Sequence, residues 1–243
     1  MRITQLEPQA RRPDRWNLAL DGAFAFGLDS AVVVEYGLAV GQDLPPATVE
    51  QLRAAAADHD LYAAALRFLA PRPRSRAEVR RRLLRPRPVS PRATPALASR
   101  PPADPAAVER TLDRLASDGY LDDHDFASYW VDNRERFSPR GARALSAELR
   151  QRGVDRATVD AATEPVRDAE RALAAGRQRL RALAGLDYRA FNDRLGPFLL
   201  RRGFGYEVAR AAVRQLWAES HADQPTGDDD AGDDADTDGS FDE

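Results

Sequence analysis

Two stretches of the chain close on the same pattern. Leu145, Leu149, Arg152 and Gly153 fall on Leu195, Leu199, Arg202 and Gly203, at a period of about 50 residues. In each copy two leucines four apart share one helix face. A glycine follows, where the backbone has to turn left-handed to stop. Beyond each glycine, Ala161 and Ala162 match Ala211 and Ala212. Val79 and Leu83, then Val108 and Leu112, resemble a third copy opened by an insertion. A unit this short buries its apolar stripe only by stacking on neighbours. The pattern predicts a mainly α protein of tandem three-helix repeats, arranged as a curved array with long exposed faces.

Local punctuation divides the chain further. Residues 1–58 read as a small β-hairpin domain with a short helix. Trp16, Leu18 and Leu20 alternate, as do Phe24, Phe26 and Leu28, around an Asp21-Gly22 turn signal. Ile3 and Leu6 mark a third strand, and Ala31 to Leu38 a short helix. Helical repeats are expected at 59–118, 119–165 and 166–219. Ser75-Arg76-Ala77-Glu78 has the form of a capping box. Asp104-Pro105 and Ser138-Pro139 each place a cap before a proline at the first helical position. Seven prolines between positions 85 and 106 break every helix there, which predicts an exposed linker inside the first repeat.

Composition mainly excludes. The chain has no Cys and no Lys, so disulfides, thiolate metal sites, phosphate-loop lysines and Schiff-base chemistry are ruled out. There is no secretory leader and no apolar run of about 20 residues, so the expected setting is cytoplasmic, with no membrane. The net charge of −3 is an average over unlike parts. Residues 220–243 form an acidic tail expected to be disordered, with ten carboxylates and no Arg. The rest of the chain carries 29 carboxylates against 36 Arg. Between Arg67 and Arg100, eleven Arg face the single Glu78. Such a body fits a polyanionic partner.

Asp122, Asp123, His124 and Asp125 are the densest set of metal-ligating or acid/base groups. They precede a helix, where acidic residues satisfy free amides, so capping outweighs metal binding. No phosphate-binding glycine fingerprint or nucleophile elbow is present. Arg72, Arg74 and Arg76 surround the Ser75 cap, and Arg80, Arg81 and Arg82 follow. With Val79 and Leu83 facing the core, these arginines fan toward solvent as a binding face. Tyr129, Trp130 and Phe137 read as core rather than as base-stacking platforms.

Three stretches carry a resemblance. The first is Ala65-Leu66-Arg67-Phe68-Leu69 with Arg72 to Val79 and Leu83. The second is Leu115 through Gly119-Tyr120-Leu121-Asp122-Asp123 to Phe126-Ala127. The third is Pro139-Arg140-Gly141 with Glu148 to Val154, echoed by Leu199 to Phe204. Together they resemble RecX, a family of regulators of the RecA recombinase, over about residues 61–217. The Pro-rich insertion and the acidic tail depart from the family pattern. The resemblance implies a monomeric non-enzyme without cofactor or metal. Its partners would be the RecA filament and single- and double-stranded DNA, and its effect typically inhibition of recombinase, ATPase and coprotease activity. The expected contact residues are Arg72, Arg74, Arg76, Arg80, Arg81, Arg82, Arg140, Arg150, Arg152, Arg201 and Arg202. The competing reading is a stand-alone DNA-binding repeat protein.

Overall fold

The computed structural model describes residues 1–10, 12–85, 103–164 and 167–221. The acidic tail beyond position 221 and most of the Pro-rich stretch lie outside them. The chain opens with strands β1 (Ile3–Gln9), β2 (Arg12–Leu20) and β3 (Ala23–Asp29), an antiparallel sheet in that order. Asp21 and Gly22 both take positive φ, 48° and 84°, so the β2–β3 connection is the tight turn that the sequence signals. Leu18 sits opposite Phe26 in the ladder. Helix α1 (Ser30–Glu35) follows, capped by Asp29, whose side chain accepts from the Ala31 amide.

Helix α2 (Pro46–Leu69) joins two cores. Val49, Leu52 and Ala56 pack with Ile3, Leu18 and Leu28 against the sheet. Leu61 and Ala65 pack instead with α3 (Arg76–Leu84) and α4 (Pro105–Ser117). The division expected at 58/59 therefore falls within one continuous helix. Asp60, at that point, forms a two-pronged ion pair with Arg15 of β2. The second half of α2, with α3 and α4, makes the first three-helix unit.

The second unit comprises α5 (Asp123–Phe137), α6 (Ala142–Gln151) and α7 (Arg156–Ala162), around Phe126, Leu145, Leu149 and Val159. The third comprises α8 (Asp168–Arg177), a 3-10 turn at Leu180–Leu183, α9 (Tyr188–Arg201) and α10 (Tyr206–His221). Its core gathers Phe191, Leu195, Leu199, Phe204 and Leu216. Val79 and Leu83, Leu145 and Leu149, and Leu195 and Leu199 are all buried on the second helix of their units. Gly153 and Gly203 stop α6 and α9 with φ of 85° and 89°. Asp104 caps α4 as expected, accepting from Ala106 and Ala107.

Successive units meet through the same joint, made twice. At the first, Ser75 Oγ donates to the Arg152 carbonyl at 2.7 Å, and the Arg76 amide donates to Asp123 at 2.8 Å. At the second, the Gly141 amide donates to the Arg202 carbonyl at 3.0 Å, and the Ala142 amide donates to Asp168 at 2.9 Å. In both, the positive start of one second helix meets the carbonyl end of the next unit's second helix, an attractive dipole arrangement. An aspartate opening the following unit takes a remaining free amide. The backbones approach closely: a methyl on Gly153 would strike Ala77, and one on Gly203 would strike Ala144.

The joints overturn two capping expectations. Ser75 caps α3 as expected, accepting from the Glu78 amide, but Glu78 does not turn back on the Ser75 amide; its carboxylate goes to Arg72 and Arg152. Ser138-Pro139 does not start α6. Ser138 ends α5, and α6 begins after Gly141 with no cap from its own segment. A side chain on Gly141 would collide with the Gly203 carbonyl, so the cap comes from Asp168 across the joint.

Two outcomes test this packing. Leu149 is fully buried, and Leu149→Ala should cost about 2–5 kcal/mol in chemical denaturation. Tyr62 donates to Asp118 at 2.5 Å, which pushes its phenol up to about 12. The protonated phenol is the favoured form, so this bond's contribution is complete below pH ~10 and is lost as pH rises toward 12. Ultraviolet titration should show Tyr62 ionising late, and Asp118→Asn should bring it back toward the ordinary range.

Candidate nucleic-acid interface

The arginines singled out in the sequence separate into two groups. Arg81, Arg82, Arg150 and Arg201 are exposed and make no ion pair among the described residues. The others are engaged within the chain. Arg76 pairs with Glu109 and Asp113 of α4, and Arg80 with Glu109. Hydrogen bonds from Arg80 and Arg76 hold the Glu109 carboxyl below its usual range. These pairs are largely solvent-exposed, so each is worth little and a stronger anion can exchange into them.

The remaining engaged arginines form one belt across the three units, traced from contact to contact. Arg72 and Arg152 share Glu78, at 3.4 and 2.8 Å. Arg152 lies over the Trp130 ring at 3.6 Å, and Arg134 over the same ring at 4.6 Å. Arg134 and Arg140 share Glu148, each at 2.8 Å, and the Trp130 indole donates to that carboxylate. Beside Arg140, Arg202 donates to the Pro139 carbonyl at 3.0 Å. Arg202 and Arg179 lie over the Phe198 ring at 4.7 and 4.8 Å. At the other end Arg74 lies 3.9 Å over Phe68 and donates to its carbonyl.

The belt is under-neutralised. Arg72, Arg74, Arg134, Arg140, Arg152, Arg179 and Arg202 are seven guanidiniums, whose carboxylate partners among the described residues are Glu78 and Glu148. Burial, then the charge of Arg72 and that of Arg152, lower the Arg74 pKa. Burial, then Arg140 and Arg179, lower that of Arg202. Arginine suits this position because its planar group stacks on a ring while its edge still donates. A polyanion reaching the belt would meet oriented donors that lack enough internal acceptors.

Arg134, Arg179 and Phe198 join the belt without standing out in the sequence. One signal was present. Arg134 follows Asp123 by the same interval as Arg179 follows Asp168, so an alignment on the joint aspartates pairs them. Trp130 is half-buried and packs on the core of its unit, while Phe137 departs from the core expectation at 69% exposure. Phe137 is the last residue of α5, past the turns that pack inward. The 122–125 cluster serves as a helix start: Asp122 accepts from the His124 and Asp125 amides, and Asp123 crosses to Arg76.

Four family models match in chain order. They are the regulatory protein RecX N-terminal domain over 1–45, and the RecX first, second and third three-helix domains over 62–85, 122–162 and 167–213. A regulatory protein RecX of Thermobifida fusca is 38% identical over 182 residues, covering 72% of this chain and 87% of its own. The chain belongs to the RecX family. A RecX of Bacillus subtilis is 26% identical over 91% of this chain and 79% of its own length. A crystal structure of a regulatory protein RecX has a TM-score of 0.62 at 22% identity, covering 87% of this chain and 98% of that one. The RecX of Lactobacillus salivarius has a TM-score of 0.52 at 19% identity, covering 66% and 96%. The first three-helix match ends at Arg85, where the Pro-rich stretch begins. Among the described residues, no helix of this RecX family member is long and apolar enough to cross a membrane.

Glu148 links the belt to the core of the second unit. Glu148→Ala removes the acceptor of Trp130, Arg134 and Arg140 together, and should lower stability by about 1–3 kcal/mol in urea denaturation.

Proposed function

We propose that this chain binds along a RecA–DNA nucleoprotein filament and restrains the recombinase, acting as a monomeric regulator in the cytoplasm rather than as an enzyme. The observation that carries the reading is the arginine belt. It crosses both joints, so its charges are held at fixed intervals by a repeating backbone, as a partner with repeating phosphates requires. The relatives' shared description as regulatory proteins supports a regulatory role. The exposed Arg81, Arg82, Arg150 and Arg201 extend the positive surface beyond the belt.

Single-stranded-DNA-dependent RecA ATPase with added protein tests this. A dose-dependent loss of ATPase together with filament co-sedimentation is expected. An unchanged ATPase and no co-sedimentation at excess protein would refute the proposal. Binding to naked DNA as tight as to filaments would favour the stand-alone DNA-binding reading.

The outward arginines add a second expectation. Changing Arg80, Arg81 and Arg82 to Ala should weaken binding and flatten its salt dependence, by about 0.7 slope units for each single-strand phosphate left unneutralised. Arg80 already holds Glu109, so most of the effect should come from Arg81 and Arg82. An unchanged slope would remove this helix from the binding surface.

A further inference from the structure

Placing the two joints on one another shows that the belt repeats. Ser75 and Gly141 each precede a second helix, so Arg74 corresponds to Arg140. Arg152 and Arg202 end the second helix of the following unit. Arg134 and Arg179 stand at equal distances from the joint aspartates. Each joint therefore gathers an arginine from the same three positions. Each also lays two of them on one aromatic ring, Trp130 at the first and Phe198 at the second.

The joints differ in their acids. Glu78 holds Arg152 at the first joint. In the next unit the corresponding position is Ala144, which packs against Gly203 and brings no charge. Glu148, the carboxylate within reach of the second joint, is shared between Arg140 and Arg134. Its own counterpart one repeat later is Phe198, so a ring stands where a second carboxylate would. Arg179 and Arg202 consequently have no acidic partner among the described residues.

We propose that the second joint is the primary seat for a nucleic-acid backbone phosphate, and that the first is an equivalent seat masked by Glu78. The inference rests on the nucleic-acid reading above and ranks the seats within it. A phosphate offers several acceptor oxygens to guanidinium edges whose faces are already held on a ring. Two like seats one repeat apart suit a ligand whose charge also repeats.

The test uses the full-length chain and a fluorescent single-stranded oligonucleotide, with anisotropy measured across a salt series. The Arg179 side chain is exposed and makes no hydrogen bond among the described residues, so Arg179→Gln should melt like the parent. It should flatten the salt slope by about 0.7 units. Arg74→Gln, at the masked seat, should flatten it by clearly less. Glu78→Gln should raise affinity and steepen the slope by freeing Arg72 and Arg152. An unchanged slope for Arg179→Gln, an equal loss from Arg74→Gln, or an unchanged affinity for Glu78→Gln would each overturn the proposal. Displacement of the oligonucleotide by polyglutamate at equal charge concentration would place an acidic protein in the seat and overturn it as well. Absence of binding by the unaltered chain at low salt would instead refute the nucleic-acid reading itself.

Discussion

Everything distinctive about this chain depends on a carboxylate borrowed from the next unit. A three-helix unit ends with free amides at the start of its second helix. Here the neighbour supplies the acceptor: Asp123 for Arg76 and Asp168 for Ala142. Asp168 is buried at that joint, where desolvation raises its carboxyl pKa despite the Ala142 bond and the nearby Arg171. Arg171, equally buried, takes Glu135 of the previous unit as well. Pairs of this kind contribute modest net stability but tolerate few alternative arrangements, because losing one partner strands a buried charge. The joint thus sets register between units more than it adds free energy.

That register creates the charged surface. Arg152 and Arg202 are cap residues of their helices, and their carbonyls complete the joints. Their guanidiniums emerge beside the joints onto Trp130 and Phe198. One residue therefore works in both structure and surface, through different atoms. This explains why a chain free of Lys has this surface: an ammonium has no planar face to rest on a ring while donating sideways.

How much of this was legible depended on range. Gly153 and Gly203 were readable because a left-handed stop is a need of the local backbone. Asp104, Asp122 and the Asp21-Gly22 turn were readable for the same reason. Glu78 was not: its local rule points to Ser75, but a partner 74 residues away takes it. Ser138 failed likewise, because the cap it promised comes from Asp168 and a backbone contact claims Gly141. The arginines from 72 to 82 stand as one run in the sequence. The fold splits it, turning Arg76 and Arg80 toward the acids of α4 and drawing Arg72 into the belt with Arg152. Arg134 and Arg179 look ordinary in sequence, and only the pairing of the joints gives them a common position.

A repeat protein built this way can vary function without altering its frame. The joint needs a short list of features: a carboxylate opening the following unit, a glycine closing that unit's second helix, and a small residue where backbones touch. Positions beside it are free to change charge. Glu78 and Ala144 occupy one such position, and Glu148 and Phe198 another. Replacing acid by methyl, or acid by ring, leaves the hydrogen bonds of the joint in place but changes how much of its arginine charge is answered from within. Two units can therefore share a fold while presenting unequal charge to the same polyanion. That inequality would give a filament ligand a preferred point of first contact along an otherwise repetitive surface.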